Sequence, residues 1–327
     1  MHYKDNEVFS MSILVTGALG FIGSHTCRRL ADEGERVIAY YRTPRKIDFL
    51  GDVSERIREV RGDVTDLAHL MYTIRREGVT GVIHAAAVVT EPPSRARPYA
   101  AFQVNVTGTA NVLEAARIMD LERVVFLSSG AAAGPTEDLS PVKEDQRSPD
   151  GIYGTTKLMS ELLGLRYHAI YGLDFIVVRP TWIYGPGRDA LRTFGKVVPW
   201  DLACIFENVV EDKPVELGEG GDHPFDFTYV KDVVEVIVSA YEKRNPRYRV
   251  FNASVGRLYT LGEAAEAFKA VKPEARIEIG PGLIGDIYVR GPLDITRARE
   301  DLGFEPRYDL EGGIREWLAW SKGGKIY

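Results

Sequence analysis

The fold is decided by the stretch Ile13-Leu14-Val15-Thr16-Gly17-Ala18-Leu19-Gly20-Phe21-Ile22-Gly23. Its apolar start predicts a short buried strand, and helical periodicity begins at Phe21, so the glycines lie in a strand-to-helix turn. In such a turn Gly17 allows the tight bend, Gly20 lets the backbone approach a pyrophosphate, and Gly23 lets the helix pack closely on the strand. The stretch therefore predicts a dinucleotide-binding unit; a structural glycine turn in a flavodoxin-like sheet is the alternative.

The rest of the first half extends this pattern. Short apolar runs alternate with helical periodicity, which is typical of a parallel sheet covered by helices on both faces. The predicted fold class is α/β: a doubly wound (Rossmann) parallel sheet over residues 11–180, followed by a smaller C-terminal α/β substrate lobe over 181–327. Part of 226–252 is expected to return to the Rossmann domain, and residues 1–10 to form an N-terminal extension. The predicted strands are 13–15, 36–40, 57–60, 82–84, 124–127 and 175–178, and the predicted helices are 21–33, 66–77, 99–119, 152–171, 230–240 and 310–320.

Composition argues against several classes of function. The 327 residues carry a net charge of -6 with no basic stripe, which argues against a nucleic-acid partner. The two cysteines, Cys27 and Cys204, show no metal-ligand spacing and no disulfide framework, so no metal and a reducing cytoplasmic location are predicted. No apolar run approaches the ~18 residues of a membrane span.

The residues at the end of the second predicted strand indicate whether the cofactor is NAD or NADP. A ribose-binding acid is expected there, but the chain has Tyr41 and Arg42, with Arg45 and Lys46 close behind. A guanidinium suits a 2′-phosphate, so this segment favours NADP over NAD. A solvated basic loop in an NAD enzyme is the alternative. Asp63 follows the third strand, where a carboxylate can accept a hydrogen bond from the adenine amino group.

A second segment suggests proton transfer. Tyr153 and Lys157 are four residues apart on a predicted helix and share one face, so the ammonium is expected to lower the pKa of the phenol. Ser129 ends the preceding strand, where its hydroxyl could bind the reacting oxygen. These three side chains predict an acid–base site.

Together these motifs resemble the extended short-chain dehydrogenases/reductases of the NAD-dependent epimerase/dehydratase family. The resemblance covers nearly the whole chain, because it extends to Arg179-Pro180, to Tyr184-Gly185-Pro186-Gly187 and to residues 226–232 and 302–306. The resemblance implies that Ser129 positions the substrate oxygen, that Tyr153 exchanges its proton, and that Lys157 both tunes Tyr153 and binds the nicotinamide ribose. It also implies a homodimer formed through helices 99–119 and 152–171. Asn105 matches a position that supports the active site in related enzymes, with anchoring of its own helix as the alternative. The candidate cofactor contacts are Gly17, Gly20, Phe21, Ile22, Gly23, Tyr41, Arg42, Asp63, Val64, Ala85, Ala86, Ala87, Asn105, Tyr153, Lys157 and Pro180.

Departures from the family pattern restrict the class of substrate that we expect. Dehydratases of the family follow the triad serine with an Asp-Glu pair, and here those places hold Gly130 and Ala131. Epimerases clamp a diphosphate with two arginines, and here those places hold Phe225 and Leu283. Arg188, Arg192, His223 and Arg290 are the candidate replacements, but the simplest interpretation is a substrate without a diphosphate. The candidate substrate contacts are Val88, Val89, Thr90, Ser129, Ala131, Trp182 and Phe225.

The sequence thus predicts an NAD(P)-dependent oxidoreductase of this family. Hydride transfer is expected at a secondary alcohol or ketone carbon of a small sugar-like, hydroxy-acid or carbonyl substrate. The alternative is a nucleotide-sugar 4-epimerase of the UDP-glucose/galactose type with tightly bound NAD. A more remote alternative is a non-catalytic nucleotide-sensing protein, against which the intact Ser129, Tyr153 and Lys157 argue.

Overall fold

A parallel sheet of seven strands forms the centre of the protein in the computed structural model, which describes residues 12–189, 192–193, 196–285, 287–325 and 327. The strands are β1 (Ser12–Thr16), β2 (Arg36–Tyr41), β3 (Ile57–Arg61), β4 (Gly81–His84), β5 (Arg123–Leu127), β6 (Phe175–Pro180), β7 (Ile183–Tyr184), β8 (Arg192–Thr193), β9 (Lys196–Val197), β10 (Val215–Leu217), β11 (Pro224–Phe225), β12 (Thr228–Tyr229), β13 (Val250–Ala253), β14 (Tyr259–Thr260) and β15 (Ile277–Ile279). The order in the central sheet is β13-β6-β5-β4-β1-β2-β3. Strand order reverses between β1 and β4, so their carboxyl ends flank the crevice in which open α/β sheets bind ligands.

Helices cover both faces of this sheet. They are α1 (Phe21–Asp32), α2 (Leu67–Glu77), α3 (Glu91–Ala96), α4 (Pro98–Phe102), α5 (Gly108–Ile118), α6 (Ile152–Tyr171), α7 (Leu202–Val210), α8 (Val230–Glu242), α9 (Leu261–Val271) and α10 (Leu310–Ser321), with 3-10 turns at Asp48–Arg56 and Gly130–Ala132 and π turns at Gln103–Thr107 and Ala298–Leu302. α1 and α8 pack together on one face, and α2, α5 and α6 pack on the other. Along β1, Ile13 and Val15 enter the first apolar layer and Leu14 enters the second, as the two-residue period of a strand requires.

The sheet confirms the predicted fold class, and the differences from the sequence prediction are local. The predicted helix 99–119 is α4, a π turn and α5 in succession. α7, α9 and β13 were not predicted. α9 had a sequence signal, because Thr260 and Glu263 form a capping box at its start. β13 is only four residues long and includes the polar Asn252, so its apolar signal is weak.

The C-terminal part packs against the central sheet. Its α7 and α10 meet where Phe206 stacks on Trp317 at 3.8 Å between ring centres. α8 contacts β5 and β6, and β13 pairs with β6, so this part of the chain lies with the central sheet. The division at residue 180 stays a prediction, and the predicted extension at residues 1–10 lies outside the described residues. Within the described ranges, no helix is both long and apolar enough to cross a membrane.

Candidate functional site

The turn between β1 and α1 forms a narrow backbone cradle. Gly17 adopts a φ of +66°, and a Cβ there would lie 2.8 Å from the Cα of Ala86. A Cβ on Gly23 would lie 2.2 Å from the carbonyl oxygen of Gly17. α1 begins at Phe21 with no side-chain cap and no acidic residue in its first turn, so its first N–H groups can serve an anion. The cradle fits the pyrophosphate of a dinucleotide.

A buried histidine fixes the loop that faces this cradle. His84 ends β4, where its Nδ1 lies 2.6 Å from the Thr16 hydroxyl and its Nε2 lies 3.1 Å from the Thr109 hydroxyl. The Thr16 hydroxyl in turn accepts a hydrogen bond from the backbone N–H of Ala86 at 3.1 Å. Burial, reinforced by the charge of Lys157, lowers the pKa of His84 to about 3, so the ring is neutral. His84 therefore holds the loop in place.

The basic residues after β2 lie beside carboxylates. Arg42 Nη1 is 3.7 Å from Asp63, whose carboxylate also accepts hydrogen bonds from the N–H and hydroxyl of Thr65. Arg45 forms a two-point ion pair with Asp189 at 2.9 and 3.0 Å. The local charge at this end of the site is thus partly balanced.

Ser129 and Tyr153 meet at the carboxyl end of β5. Ser129 follows the strand, and its Oγ accepts a hydrogen bond from the N–H of Ala131 at 3.1 Å. Tyr153 lies in the first turn of α6, and its phenol is close enough to Ser129 for that hydroxyl to affect its pKa. Burial raises the pKa of Tyr153 to about 12, while Ser129 acts in the opposite direction. The phenol is therefore a neutral acid in this structure.

Lys157 shares one face of α6 with Tyr153, as predicted, but its ammonium is hydrogen-bonded elsewhere. Its ammonium donates a hydrogen bond to the carbonyl of Leu127 at 2.6 Å and lies 5.9 Å from the ring centre of Tyr153. Burial lowers the pKa of Lys157 to about 7, against the opposing effect of Glu161. The expected lowering of the Tyr153 pKa by Lys157 is absent here, because the ammonium turns to the β5 backbone and the phenol is desolvated. Lys157 also lies behind the cavity wall, outside the lining residues.

Asn105 requires a correction as a cofactor contact. It is buried in the π turn, and its Oδ1 accepts a hydrogen bond from the N–H of Val88 at 2.7 Å. Its Nδ2 donates to the Val88 carbonyl and to the Thr156 hydroxyl. Asn105 therefore does not line the cavity; it ties the loop after β4 to α6.

One cavity of about 960 Å³ connects the cradle, the Ser129–Tyr153 pair and the C-terminal part. Its walls are mostly apolar with a few convergent polar groups, as in ligand sites generally. The sequence-predicted residues that line it are Gly17, Gly20, Phe21, Ile22, Gly23, Tyr41, Arg42, Asp63, Val64, Ala85, Ala86, Ala87, Val88, Val89, Thr90, Ser129, Ala131, Tyr153, Pro180 and Trp182.

Phe225 requires a correction as a substrate contact. It is buried behind the cavity, and Trp182 packs edge-on against it at 4.7 Å between ring centres. Trp182 itself lines the cavity with a φ of +36°, a value unusual for a residue with a side chain. Phe225 therefore supports the Trp182 wall from behind.

Arg290 is one of the residues that the sequence named only as a possible replacement. It reaches from the C-terminal part to the cavity, donating hydrogen bonds to the Gly130 carbonyl and the Thr181 hydroxyl. A Cβ on Gly130 would lie 2.8 Å from Arg290 Nη2, so this guanidinium lies against the place where a dehydratase acid would stand. Its buried Nε has no partner within the described part of the chain.

Among the other candidate replacements whose side chains the structure describes, Arg188 lines the cavity and is paired with Asp201 at 2.8 Å. His223 is buried outside it, and the side chain of Arg192 lies outside the described residues. Sequence reasoning missed Glu91 and Tyr288, which also line the cavity. Neither belongs to a motif: Glu91 is the first residue of α3, and Tyr288 lies in a loop.

Comparison with known proteins gives consistent matches. The model of the NAD dependent epimerase/dehydratase family matches residues 13–254. A UDP-glucose 4-epimerase of Mycolicibacterium smegmatis is 31% identical over 95% of this chain and 98% of its own. The UDP-glucose 4-epimerase of Thermotoga maritima, solved with UDP-glucose, superposes with a TM-score of 0.84 at 26% identity, covering 96% of this chain and 99% of its own. The UDP-glucose 4-epimerase of Thermus thermophilus, solved with NAD, gives 0.81 at 26% identity over 96% and 99%.

Proposed function

Because the chain belongs to the NAD-dependent epimerase/dehydratase family, we propose that it is a nucleotide-sugar 4-epimerase that keeps NAD bound throughout the reaction. The similar proteins favour this alternative over the broader prediction of a dehydrogenase with a small substrate. The observation that carries the proposal is the continuous cavity, which brings the glycine cradle, the Ser129–Tyr153 pair and Arg290 together.

In this reaction Tyr153 takes the proton of the sugar C4 hydroxyl and later returns it, while Ser129 hydrogen-bonds the same oxygen. Bound NAD supplies the acceptor, and then the donor, of the C4 hydride. The raised pKa of Tyr153 suits the second half-reaction, in which the keto sugar is reduced and a protonated phenol must return the proton. The oxidising half-reaction needs a phenolate, and we propose that Lys157 stabilises it by its charge during turnover, although its ammonium is bonded to the Leu127 carbonyl in this structure.

Two arginines are proposed to bind the substrate diphosphate. Arg290 has a buried Nε that lacks an acceptor among the described residues, and a phosphate oxygen can fill that role. Arg188 lines the same cavity. They would replace the arginines absent at Phe225 and Leu283.

The proposed cofactor is NAD, and the predicted preference for NADP is not supported. A similar enzyme was solved with NAD. In this chain a 2′-phosphate near Arg42 and Arg45 would lie close to the carboxylates of Asp63 and Asp189. Fluorescence titration with both cofactors tests this: NAD should bind more tightly, and tighter NADP binding that is lost in Arg42→Ala would reverse the assignment.

A dehydrogenase that releases its cofactor is the second candidate. The buried Phe225 and the exposed Leu283 favour it, because neither can hold a diphosphate. A screen of sugar acids and ketones, read by absorbance of the reduced nicotinamide, would detect such turnover.

We further propose a homodimer through α5 and α6. These helices expose apolar side chains, among them Ile118, Leu162 and Ile170, with Ile170 67% exposed. Burial of such side chains drives association. Light scattering should give twice the chain mass, and Leu162→Glu should give a monomer; a monomeric wild type would contradict the proposal.

The experiment for the main proposal is incubation with UDP-galactose and no added cofactor. Formation of UDP-glucose, with a higher KM in Arg290→Met, would support it. Turnover only of substrates without a diphosphate would favour the second candidate.

A further inference from the structure

Glu91 connects the cavity wall to the catalytic helix. Its Oε1 accepts a hydrogen bond from the backbone N–H of Ile152 at 3.0 Å, and its Oε2 accepts one from the N–H of Tyr153 at 2.8 Å. These are the first two residues of α6, and the N-cap residue, Gly151, contributes no side-chain cap. A carboxylate is the strongest acceptor for such N–H groups, and the helix dipole favours its charge. Glu91 therefore caps α6 from a different element.

The surrounding backbone is shaped around this contact. A Cβ on Gly151 would lie 2.4 Å from Glu91 Oε2, so a side chain at that position would displace the carboxylate. Thr90, which directly precedes Glu91, has φ +67° and ψ 160°, a region occupied almost only by glycine. The Ser94 hydroxyl donates to the Thr90 carbonyl at 2.8 Å and holds this conformation. Strain next to a two-point contact indicates that the position of Glu91 is specified.

The nearby Arg95 does not disrupt the hydrogen bonds between Glu91 and the start of α6. Arg95, one turn along α3, lies 3.5 Å from Oε1 and is 73% exposed, so it is a weak competitor for the carboxylate. The Glu91 side chain itself is only 29% exposed. Both carboxylate oxygens remain committed to the N–H groups of α6.

We propose that Glu91 is a positioning residue for Tyr153. It fixes the first turn of α6, and hence the phenol, relative to the loop 85–90 that lines the cavity. The loop and the helix are thereby held as one unit at the reacting end. The substrate used in the kinetic test is chosen on the basis of the proposed function. The contact between Glu91 and the N–H groups of α6 does not depend on that function.

The test compares Glu91→Ala and Glu91→Gln with a matched control, Asp309→Ala. Asp309 caps α10 by accepting from the N–H of Gly312 at 2.7 Å, and it is not one of the residues that line the cavity. Gln retains one acceptor oxygen, so it should restore part of what Ala loses. With UDP-galactose, Glu91→Ala should lower kcat by about 100-fold, as a shift of about 1 Å in a reacting group does, with KM and NAD affinity unchanged. Glu91→Gln should fall between Ala and wild type, and Asp309→Ala should keep the wild-type kcat.

A second measurement is independent of substrate. Amide hydrogen exchange of the NAD-loaded protein should show faster exchange at Ile152 and Tyr153 in Glu91→Ala than in wild type, and no change there in Asp309→Ala. Wild-type kcat in Glu91→Ala, a change in KM alone, or unchanged exchange at both amides would overturn the proposal. If the wild type converts no UDP-sugar, the proposed function fails, and the exchange result alone decides whether Glu91 holds Tyr153.

Discussion

Gly23→Ala tests the cradle most sharply. The added Cβ would lie 2.2 Å from the Gly17 carbonyl oxygen, against the 3.4 Å at which ordinary contact begins, so the backbones must separate by 1.2 Å. Both partners are backbone, and neither can rotate away. Overpacking of this kind costs about 1–3 kcal/mol of unfolding free energy. The N–H groups that face the pyrophosphate would move with the loop.

The effect on cofactor binding should be larger than the effect on stability. Each hydrogen bond to a charged group contributes about 1.5–3 kcal/mol, and about 1.4 kcal/mol is tenfold in affinity. Loss of two such bonds would therefore raise the Kd for NAD by about 100-fold or more. The assay is calorimetric titration of apoprotein with NAD, beside urea unfolding.

Gly51→Ala is the matched control. A Cβ there meets nothing within 4 Å, so the Kd should stay at the wild-type value and stability within about 0.5 kcal/mol of it. Wild-type NAD affinity in Gly23→Ala, or equal losses in the two variants, would refute the reasoning.

Three further predictions concern catalysis and stability. Tyr153→Phe should lower epimerisation by about 10²–10⁴-fold without changing the Kd for NAD; an active variant would exclude Tyr153 as the proton carrier. Glu161 pairs with the buried Arg179 at 2.6 Å, so Glu161→Ala leaves a buried charge without its partner. Urea unfolding should show a free energy of unfolding lower by about 3–5 kcal/mol. The control Glu266→Ala removes an exposed pair with Lys269 and should lower it by less than about 1 kcal/mol. The pKa of His84 is about 6.5 in the unfolded chain and about 3 in the folded protein, so between these pH values only the unfolded chain takes up the proton. The contribution of His84 to the free energy of unfolding is therefore fully present above pH 6.5 and is lost as the pH falls towards 3. Urea titrations should show a flatter pH dependence in His84→Asn; parallel curves would contradict the assignment.

The predictions that succeeded depend on local pattern. The family membership is confirmed by the match over residues 13–254, and the sheet follows the predicted alternation of strands and helices. The glycine spacing placed Gly17 and Gly23 at the close approaches where a Cβ has no room. The position of Ser129 after a strand and of Tyr153 at the start of a helix brought the two hydroxyls together.

The predicted ligand contacts that lie outside the cavity lining differ from the prediction in the orientation of a side chain. Asn105 and Phe225 stand at the predicted places, but Asn105 bonds the Val88 backbone and Phe225 packs behind Trp182. Glu91 and Arg290 come from outside the motifs, and only the folded chain shows that their polar atoms reach Tyr153 and Gly130. Spacing along the sequence carries no signal for such contacts.

The central claim is that the hydride leaves the sugar C4 carbon and returns to it within one active site. The most direct measurement is NMR of UDP-galactose incubated in D₂O with the protein as purified and no added cofactor. We predict the appearance of UDP-glucose with protium retained at C4. No change at C4, or deuterium entering at C4, would contradict the claim.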